Sequence, residues 1–281
     1  MKLALGTVQL GLDYGVSNKA GKVNINSAQA LLTYAYENNI TTLDTAAAYG
    51  NSEEVLGLLA NKHTQIITKI NPCESTLRNT QDILKNSLTK LNRSQVYAVL
   101  LHNADILLHP DSQHLLKQLE IEKNNGTVNK IGVSLYHPSQ VSLFKIFKPD
   151  IVQIPLNILD QRFLENNLLA SIQAQEIEVH VRSAFLQGLL LLEPHQRSNY
   201  FNQFKALMKF DGLIKELSVT RLEACLQFLK SIESIDKIVV GCCSAKELSE
   251  IISAFNAHTP INGLNFACFD EQLIVPSNWP K

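Results

Sequence analysis

Four side chains within the first 102 residues have the types and spacing to move a proton. Asp44 stands five residues before Tyr49 in Asp44-Thr45-Ala46-Ala47-Ala48-Tyr49-Gly50, Lys69 lies inside Ile66-Ile67-Thr68-Lys69-Ile70, and His102 follows Val99-Leu100-Leu101. Each alone has an ordinary reading: a solvated charge, a satisfied core histidine, a packed tyrosine. Together they are harder to set aside. An ammonium embedded in an apolar segment needs an anion close by, and Asp44 is the natural partner. A carbonyl that takes up hydride develops negative charge on oxygen and needs a donor aimed there. A tyrosine can be that donor: a free phenol titrates near pH ~10, and a neighbouring ammonium favours its phenolate. In this reading Tyr49 is the proton donor, Asp44 keeps Lys69 charged and placed, and His102 hydrogen-bonds and orients the reacting oxygen.

Such groups must be brought to one place by the elements that carry them. Short β-branched runs recur along the chain, each followed by a helical pattern. They predict strands at Leu3–Thr7, Thr41–Thr45, Gln65–Ile70, Val96–Leu101, Lys130–Ser134, Ile151–Pro155, Glu178–Ser183 and Lys237–Gly241. Near-continuous apolar runs such as Ile238-Val239-Val240 read as strands buried on both faces of a parallel sheet. Ala28, Leu31, Leu32, Ala35 and Tyr36 keep helical spacing, with Asn26 or Ser27 as N-cap, and Leu248, Ile251, Ile252 and Phe255 repeat the stripe. Pro138-Ser139 opens a helix ending near Phe147, Asn125-Gly126 ends another, and a further helix is expected near residues 200–210, before Asp211-Gly212. Eight strands alternating with helices imply an α/β fold, a single-domain (β/α)8 TIM barrel over residues 1–281. A doubly wound open sheet is the weaker alternative, since no strand is followed by G-x-G-x-x-G. In a barrel, chemistry belongs at the carboxyl ends of the strands, where Asp44, Lys69 and His102 fall. Residues 12–25 and 186–217 are long connections expected at that end, and the tail after Pro260 is expected to pack on the outside.

Composition narrows the function. The chain has 281 residues, 45% hydrophobic and 18% charged, enough for a large core. With 25 basic and 26 acidic residues there is no field of one sign to hold a nucleic acid or an anionic membrane. No apolar run reaches the roughly 18–20 residues of a membrane span, and no signal peptide is expected. Five cysteines without a C-x-x-C pair read as reduced thiols in a cytoplasmic protein without a metal site.

With these residues on the page, the sequence resembles the aldo/keto reductase family over nearly its whole length. Leu5-Gly6-Thr7-Val8-Gln9-Leu10-Gly11 is similar to the family's first strand. Leu43-Asp44-Thr45-Ala46 with Tyr49-Gly50-Asn51-Ser52-Glu53-Glu54-Val55-Leu56-Gly57 resembles its signature, and Ile67-Thr68-Lys69 and Leu100-Leu101-His102 resemble the strand ends bearing its lysine and histidine. Ile131-Gly132-Val133-Ser134 and Val152-Gln153 are similar to the strands that contact nicotinamide, Phe185-Leu186-Gln187-Gly188 to the loop that wraps the pyrophosphate, and Val239-Val240-Gly241 with Lys246-Glu247-Leu248 to the adenosine-phosphate loop. The resemblance implies reduction of an aldehyde or ketone with NADP(H), NAD(H) being possible, by a monomer or small homo-oligomer without metal. It implies catalytic roles for Asp44, Tyr49, Lys69 and His102. It places Gly6, Thr7, Val8, Asp44, Ser134, Gln153, Arg182, Ser183, Phe185, Gln187, Gly188, Gly241, Cys242, Ser244, Lys246 and Glu250 at the cofactor, with Ser244 and Lys246 toward the 2′-phosphate. The chain departs from the pattern in three places: Leu135 replaces an asparagine, Arg182 stands where many members stack a tyrosine on nicotinamide, and Ile251 replaces an asparagine near the adenine.

Polar Tyr14, Asn18, Asn103, Asp105, Tyr136, His137 and Asn157 are expected to line the mouth, which suits a sugar or sugar derivative as the carbonyl or alcohol substrate. The opening Gly6 to Gly15 is also similar to members found in bacterial surface-polysaccharide gene clusters. Two other readings stay open: a Schiff-base lyase using Lys69, and a non-catalytic binding or regulatory relative of the family.

Overall fold

The computed structural model describes residues 1–261 and 264–280. These form β1 (Leu3–Gly6), β2 (Thr42–Asp44), β3 (Gln65–Ile70), β4 (Val96–Leu101), β5 (Val128–Ser134), β6 (Ile151–Pro155), β7 (Glu178–Arg182) and β8 (Lys237–Gly241), all parallel and closed into a barrel in sequence order. The ring closes where β1 pairs with β8, Gly6 opposite Gly241. The α-helices are α1 (Val8–Gly11), α2 (Ile25–Glu37), α3 (Ser52–Leu59), α4 (Thr80–Leu91), α5 (Ser112–Asn124), α6 (Leu168–Gln173), α7 (Lys205–Leu217), α8 (Arg221–Lys230), α9 (Ala245–Asn256) and α10 (Glu271–Ile274). Among the described residues no helix is long and apolar enough to cross a membrane.

Because side chains alternate along a strand, each strand serves two cores. Leu43, Ile66, Val99, Leu101, Val133, Val152, Val179 and Val240 belong to the large apolar layer beneath the helices, whereas Ile67, Ala98, Leu100 and Ile151 form a separate small cluster inside the barrel. The inward phase continues upward from that cluster: Ile67 leads to Lys69, Leu100 to His102 and Ile151 to Gln153. Strand register sets the same polar level, with Asp44 beside Ile67, Lys69 beside Leu100 and Ser134 beside Gln153. Toward the amino-terminal ends a different polar group fills the barrel. Glu178 accepts from Tyr97 (2.7 Å), pairs with Lys130 and meets His180 Nε2 at 2.7 Å. Burial raises the Glu178 pKa, but hydrogen bonds from His180, Lys130 and Tyr97 outweigh it and bring it to about 2.

Several local expectations are corrected. Strand ends at Thr7, Thr45 and Ser183 fall one residue beyond the observed strands. Asn24, not Asn26 or Ser27, caps α2, its side chain accepting from Ser27 N–H at 3.0 Å. The segment from Pro138 to Lys145 is a 3-10 helix. The helix expected near residues 200–210 is α7, Lys205–Leu217, and Asp211-Gly212 lies within it, the Asp211 carboxylate pairing with Arg197 and Arg221, each at 2.7 Å. The tail does not stay outside: Cys268 N–H donates to Leu159 O at 2.8 Å, and residues 274–277 reach the rim of the barrel.

Gly132 sits where β5 passes closest to its neighbours: an added Cβ would lie 2.2 Å from Ile151 O and 2.5 Å from Leu100 Cδ2. Gly132→Ala is expected to lower unfolding free energy by about 1–3 kcal/mol, the usual cost of overpacking, read from urea denaturation; an unchanged midpoint would show that the strands give way freely.

Candidate active site

The polar level at the carboxyl ends brings together the four residues singled out by spacing. Lys69, 1% exposed, donates to Asp44 Oδ1 at 2.5 Å, to Thr45 O at 3.1 Å and to Tyr49 OH at 3.4 Å, so its three hydrogens all have acceptors. Asp44, 3% exposed, accepts on its other oxygen from Gln153 Nε2 at 2.7 Å. Burial pushes the Lys69 pKa down; Asp44 and Tyr49 outweigh that, and it ends above the ordinary lysine value. The Tyr49 and His102 rings meet edge to face with centroids 5.8 Å apart. Burial, helped by Lys69 and Arg182, lowers the His102 pKa to about 4 despite Asp44, so its imidazole is neutral near pH 7.

Tyr49 is placed by a close backbone approach. A Cβ on Gly11 would fall 1.7 Å from Tyr49 O, and one on Gly50, whose φ is +57°, would fall 2.4 Å from Gly11 O. Only glycine at both positions lets α1 lie against the Tyr49 turn. Ser52 Oγ, fully buried, donates to Thr7 O at 2.8 Å and accepts from Thr45 Oγ1 at 3.1 Å, tying α3 to the ends of β1 and β2. Glu53, also buried, accepts from Thr68 Oγ1 at 2.6 Å. The Ser52-Glu53 pair in the motif therefore holds the strands that present the reactive groups.

A cavity of about 840 Å³ opens above this level, within the range of ligand sites. Asp44, Tyr49 and His102 line it, and Lys69 lies beneath. Of the residues expected at a cofactor, Gly6, Thr7, Val8, Ser134, Gln153, Arg182, Ser183, Phe185, Gln187, Gly188, Gly241, Cys242 and Glu250 line it as well. Ser244 and Lys246 do not: Ser244 Oγ caps α9 by accepting from Glu247 N–H at 3.2 Å, and Lys246 is exposed outside the lining. Arg182 donates to Leu135 O at 3.1 Å, and its guanidinium lies 4.3 Å from the Tyr136 ring centroid. Ser134 Oγ and Gln9 Oε1 are buried without a hydrogen-bond partner among the described residues.

The loop after β7 carries backbone strain. Ser183, Leu186 and Gln187 all have φ between +48° and +62°, which non-glycine residues rarely adopt. A second loop braces it: Val16 N–H donates to Gln187 O at 2.9 Å, and Gly188 packs against Ser17. Tyr14, Asn18 and Tyr136 line the mouth as expected. Asn157 does not; it is fully buried, donating to Ser183 O and accepting from Leu159 and Asp160 N–H. Asn103 and His137 cap turns beside the mouth, and Asp105 accepts from Gln140. Sequence reasoning missed Glu247, Cys243 and residues 274–277 as lining. Ser244 followed three residues later by Glu247 is a readable helix-start signal, but the tail carries no periodicity that could have placed it.

A parallel (β/α)8 barrel with an Asp–Lys–Tyr cluster and a histidine at its carboxyl rim is the architecture observed, and comparison with known proteins places it in a family. Residues 2–267 match the sequence profile of the Aldo/keto reductase family, and the chain belongs to that family. That family is one of oxidoreductases that generally use NAD(P)H. The aldo-keto reductase AKR11C1 from Bacillus halodurans, in its holo form, superposes with a TM-score of 0.75 at 20% identity, covering 93% of this chain and 88% of that one. PA4992 of Pseudomonas aeruginosa, assigned to the aldo-keto reductases, gives a TM-score of 0.68 at 20% identity over 90% of this chain and 89% of that one. These likenesses establish the fold. D-arabinose 1-dehydrogenase of Saccharomyces cerevisiae is 28% identical over 119 residues, a match spanning 38% of this chain and 36% of the relative, about a third of its length.

His102 makes stability depend on pH. An unfolded histidine takes up a proton near 6.5, whereas the folded one does so near 4. Between those values the unfolded state binds more protons, so this contribution is full above pH 6.5 and is lost as pH falls toward 4. Urea titrations at pH 7 and pH 5 should show the native protein losing on the order of 1 kcal/mol more than His102→Asn; equal losses would remove His102 as the source.

Proposed function

We propose that this cavity reduces an aldehyde or ketone with a nicotinamide dinucleotide, or runs the reverse oxidation of an alcohol, with Tyr49 as general acid and base. The observation that carries the reading is the Lys69 ammonium, buried, clamped to Asp44 and 3.4 Å from the Tyr49 oxygen. Tyr49 gives its phenolic hydrogen to the carbonyl oxygen, and Lys69 stabilises the negative charge left on the phenol. Asp44 holds the ammonium in place, and Gln153 holds Asp44. His102, neutral at working pH, has one ring N–H to offer the same oxygen and fixes the direction from which it approaches Tyr49. The dinucleotide, when bound, supplies the hydride.

The residues present fit such a cofactor. Ser134 Oγ, buried, unpartnered and beside Gln153, suits a carboxamide. The strained loop from Phe185 to Gly188 turns backbone toward the cavity where a pyrophosphate is proposed to lie. Gly6, Thr7 and Val8 line the cavity floor, and Gly241, Cys242 and Glu250 its adenosine end. Arg182 is proposed to lie beside the nicotinamide, its planar guanidinium replacing the usual aromatic ring.

A Schiff-base role for Lys69 requires a neutral amine. Its raised pKa and three occupied hydrogens oppose that reading. For substrate class, polar Tyr14, Asn18 and Tyr136 at the mouth and the partial likeness to a D-arabinose 1-dehydrogenase favour a sugar or sugar derivative.

Tyr49→Phe is expected to cut kcat by about 10²–10⁴ with little change in melting temperature, followed by loss of reduced-nicotinamide absorbance; unchanged turnover would exclude Tyr49 as the acid. In the same assay, carbonyl sugars should be turned over with higher kcat/KM than bulky apolar ketones, and the opposite order would reject the sugar class.

A further inference from the structure

The adenosine end of the cavity carries a charge opposite to the one a 2′-phosphate needs. It is lined by Gly241, Cys242, Cys243, Glu247, Glu250 and Ile251, which include two carboxylates and no basic side chain. Of the basic residues that line the cavity, Arg162 is bound to Asp160 and Glu271, Arg182 donates to Leu135 O, and Lys19 stands on the loop that follows α1. A helix start can hold a phosphate through its N–H groups, and at α9 two donors at or just before that start are already engaged by the chain's own side chains. Glu247 Oε2 accepts the Cys243 N–H at 2.8 Å, and Ser244 Oγ accepts the Glu247 N–H at 3.2 Å. The surrounding field agrees: burial first, then the Glu247 and Asp13 carboxylates, push the Cys243 thiol up to about 11.

Resting on the reading of the cavity as a dinucleotide site, we infer that the protein selects NAD(H) over NADP(H), and that Glu247 is the residue that selects. A carboxylate lining the cavity can accept hydrogen bonds from a ribose whose hydroxyls are free, as acidic residues do at other dinucleotide sites. The same carboxylate repels a phosphate dianion on that ribose, and it already holds the Cys243 N–H. This reverses the NADP(H) preference implied by family resemblance, where Ser244 and Lys246 were the expected phosphate partners.

Isothermal titration calorimetry of the intact protein with NADH and NADPH tests the inference without turnover. NADH should bind tighter by about tenfold or more, the discrimination of a like-charge contact near solvent. Glu247→Gln keeps an acceptor for the Cys243 N–H while removing the charge, so it should tighten NADPH by a similar factor and weaken NADH, whose ribose loses a carboxylate acceptor; matching thermal melts would show that the fold is intact. Equal or tighter NADPH binding by the native protein, or an unchanged ratio in Glu247→Gln, overturns the inference while the dinucleotide reading stands. NADPH binding lost in Lys19→Ala would assign the phosphate to that lysine and overturn it as well. Binding of neither dinucleotide overturns both.

Discussion

The charge pair between Lys69 and Asp44 is the constraint around which the upper barrel is arranged. An ammonium with 1% exposure and a carboxylate with 3% cannot each stand alone there. Such a pair adds little net stability, because desolvation offsets most of the attraction, but losing one partner leaves the other uncompensated. The other hydrogens of Lys69 and the second oxygen of Asp44 are partnered as well. Lys69 reaches Thr45 O and the Tyr49 hydroxyl, and Asp44 takes the amide of Gln153. One ion pair thus links β2, β3 and β6 to the reactive phenol. Its positive end also reaches His102, whose pKa is lowered mainly by burial and then by Lys69.

The barrel can hold these charges because its interior is layered. Polar Tyr97, Lys130, Glu178 and His180 fill the amino-terminal end, a small apolar cluster occupies the middle, and the Asp44–Lys69 level closes the top. The apolar middle separates two ionic groups that would otherwise compete for partners. Above it, precision comes from backbone more than from side chains. Gly11 and Gly50 touch to place Tyr49, and the left-handed residues after β7 turn that loop over the cavity, held by Val16 N–H. Strain of this kind persists only where the surrounding contacts over-determine it.

At the start of α9 one side chain combines a helix-start contact with the selectivity inferred for the cavity. Glu247 lies in the first turn of α9, where a negative charge complements the helix dipole, and its carboxylate holds the Cys243 N–H beside the cavity. The residue that anchors this helix start therefore also sets the charge a ligand meets.

Much of this was legible in the linear sequence, and the boundary has a physical cause. Strand positions come from apolar runs with local turn signals, and the inward phase of each strand follows from a period of two. Asp44, Lys69 and His102 could thus be assigned to one rim before any contact was known, and Gly241 closes the ring opposite Gly6 as the strand order implies. What the sequence could not decide was which partner each polar group prefers. Asn157 reads as a mouth residue but is buried under Ser183, the helix expected near residues 200–210 runs on through Asp211, which sits between two arginines, and Ser244 reads as a phosphate ligand but caps a helix. The tail's return to the rim has no local signal at all. Residue type, order and periodicity are properties of neighbouring positions and survive in one dimension; competition among donors, acceptors and charges far apart in the chain is resolved only when tertiary packing brings them within about 3 Å of one another.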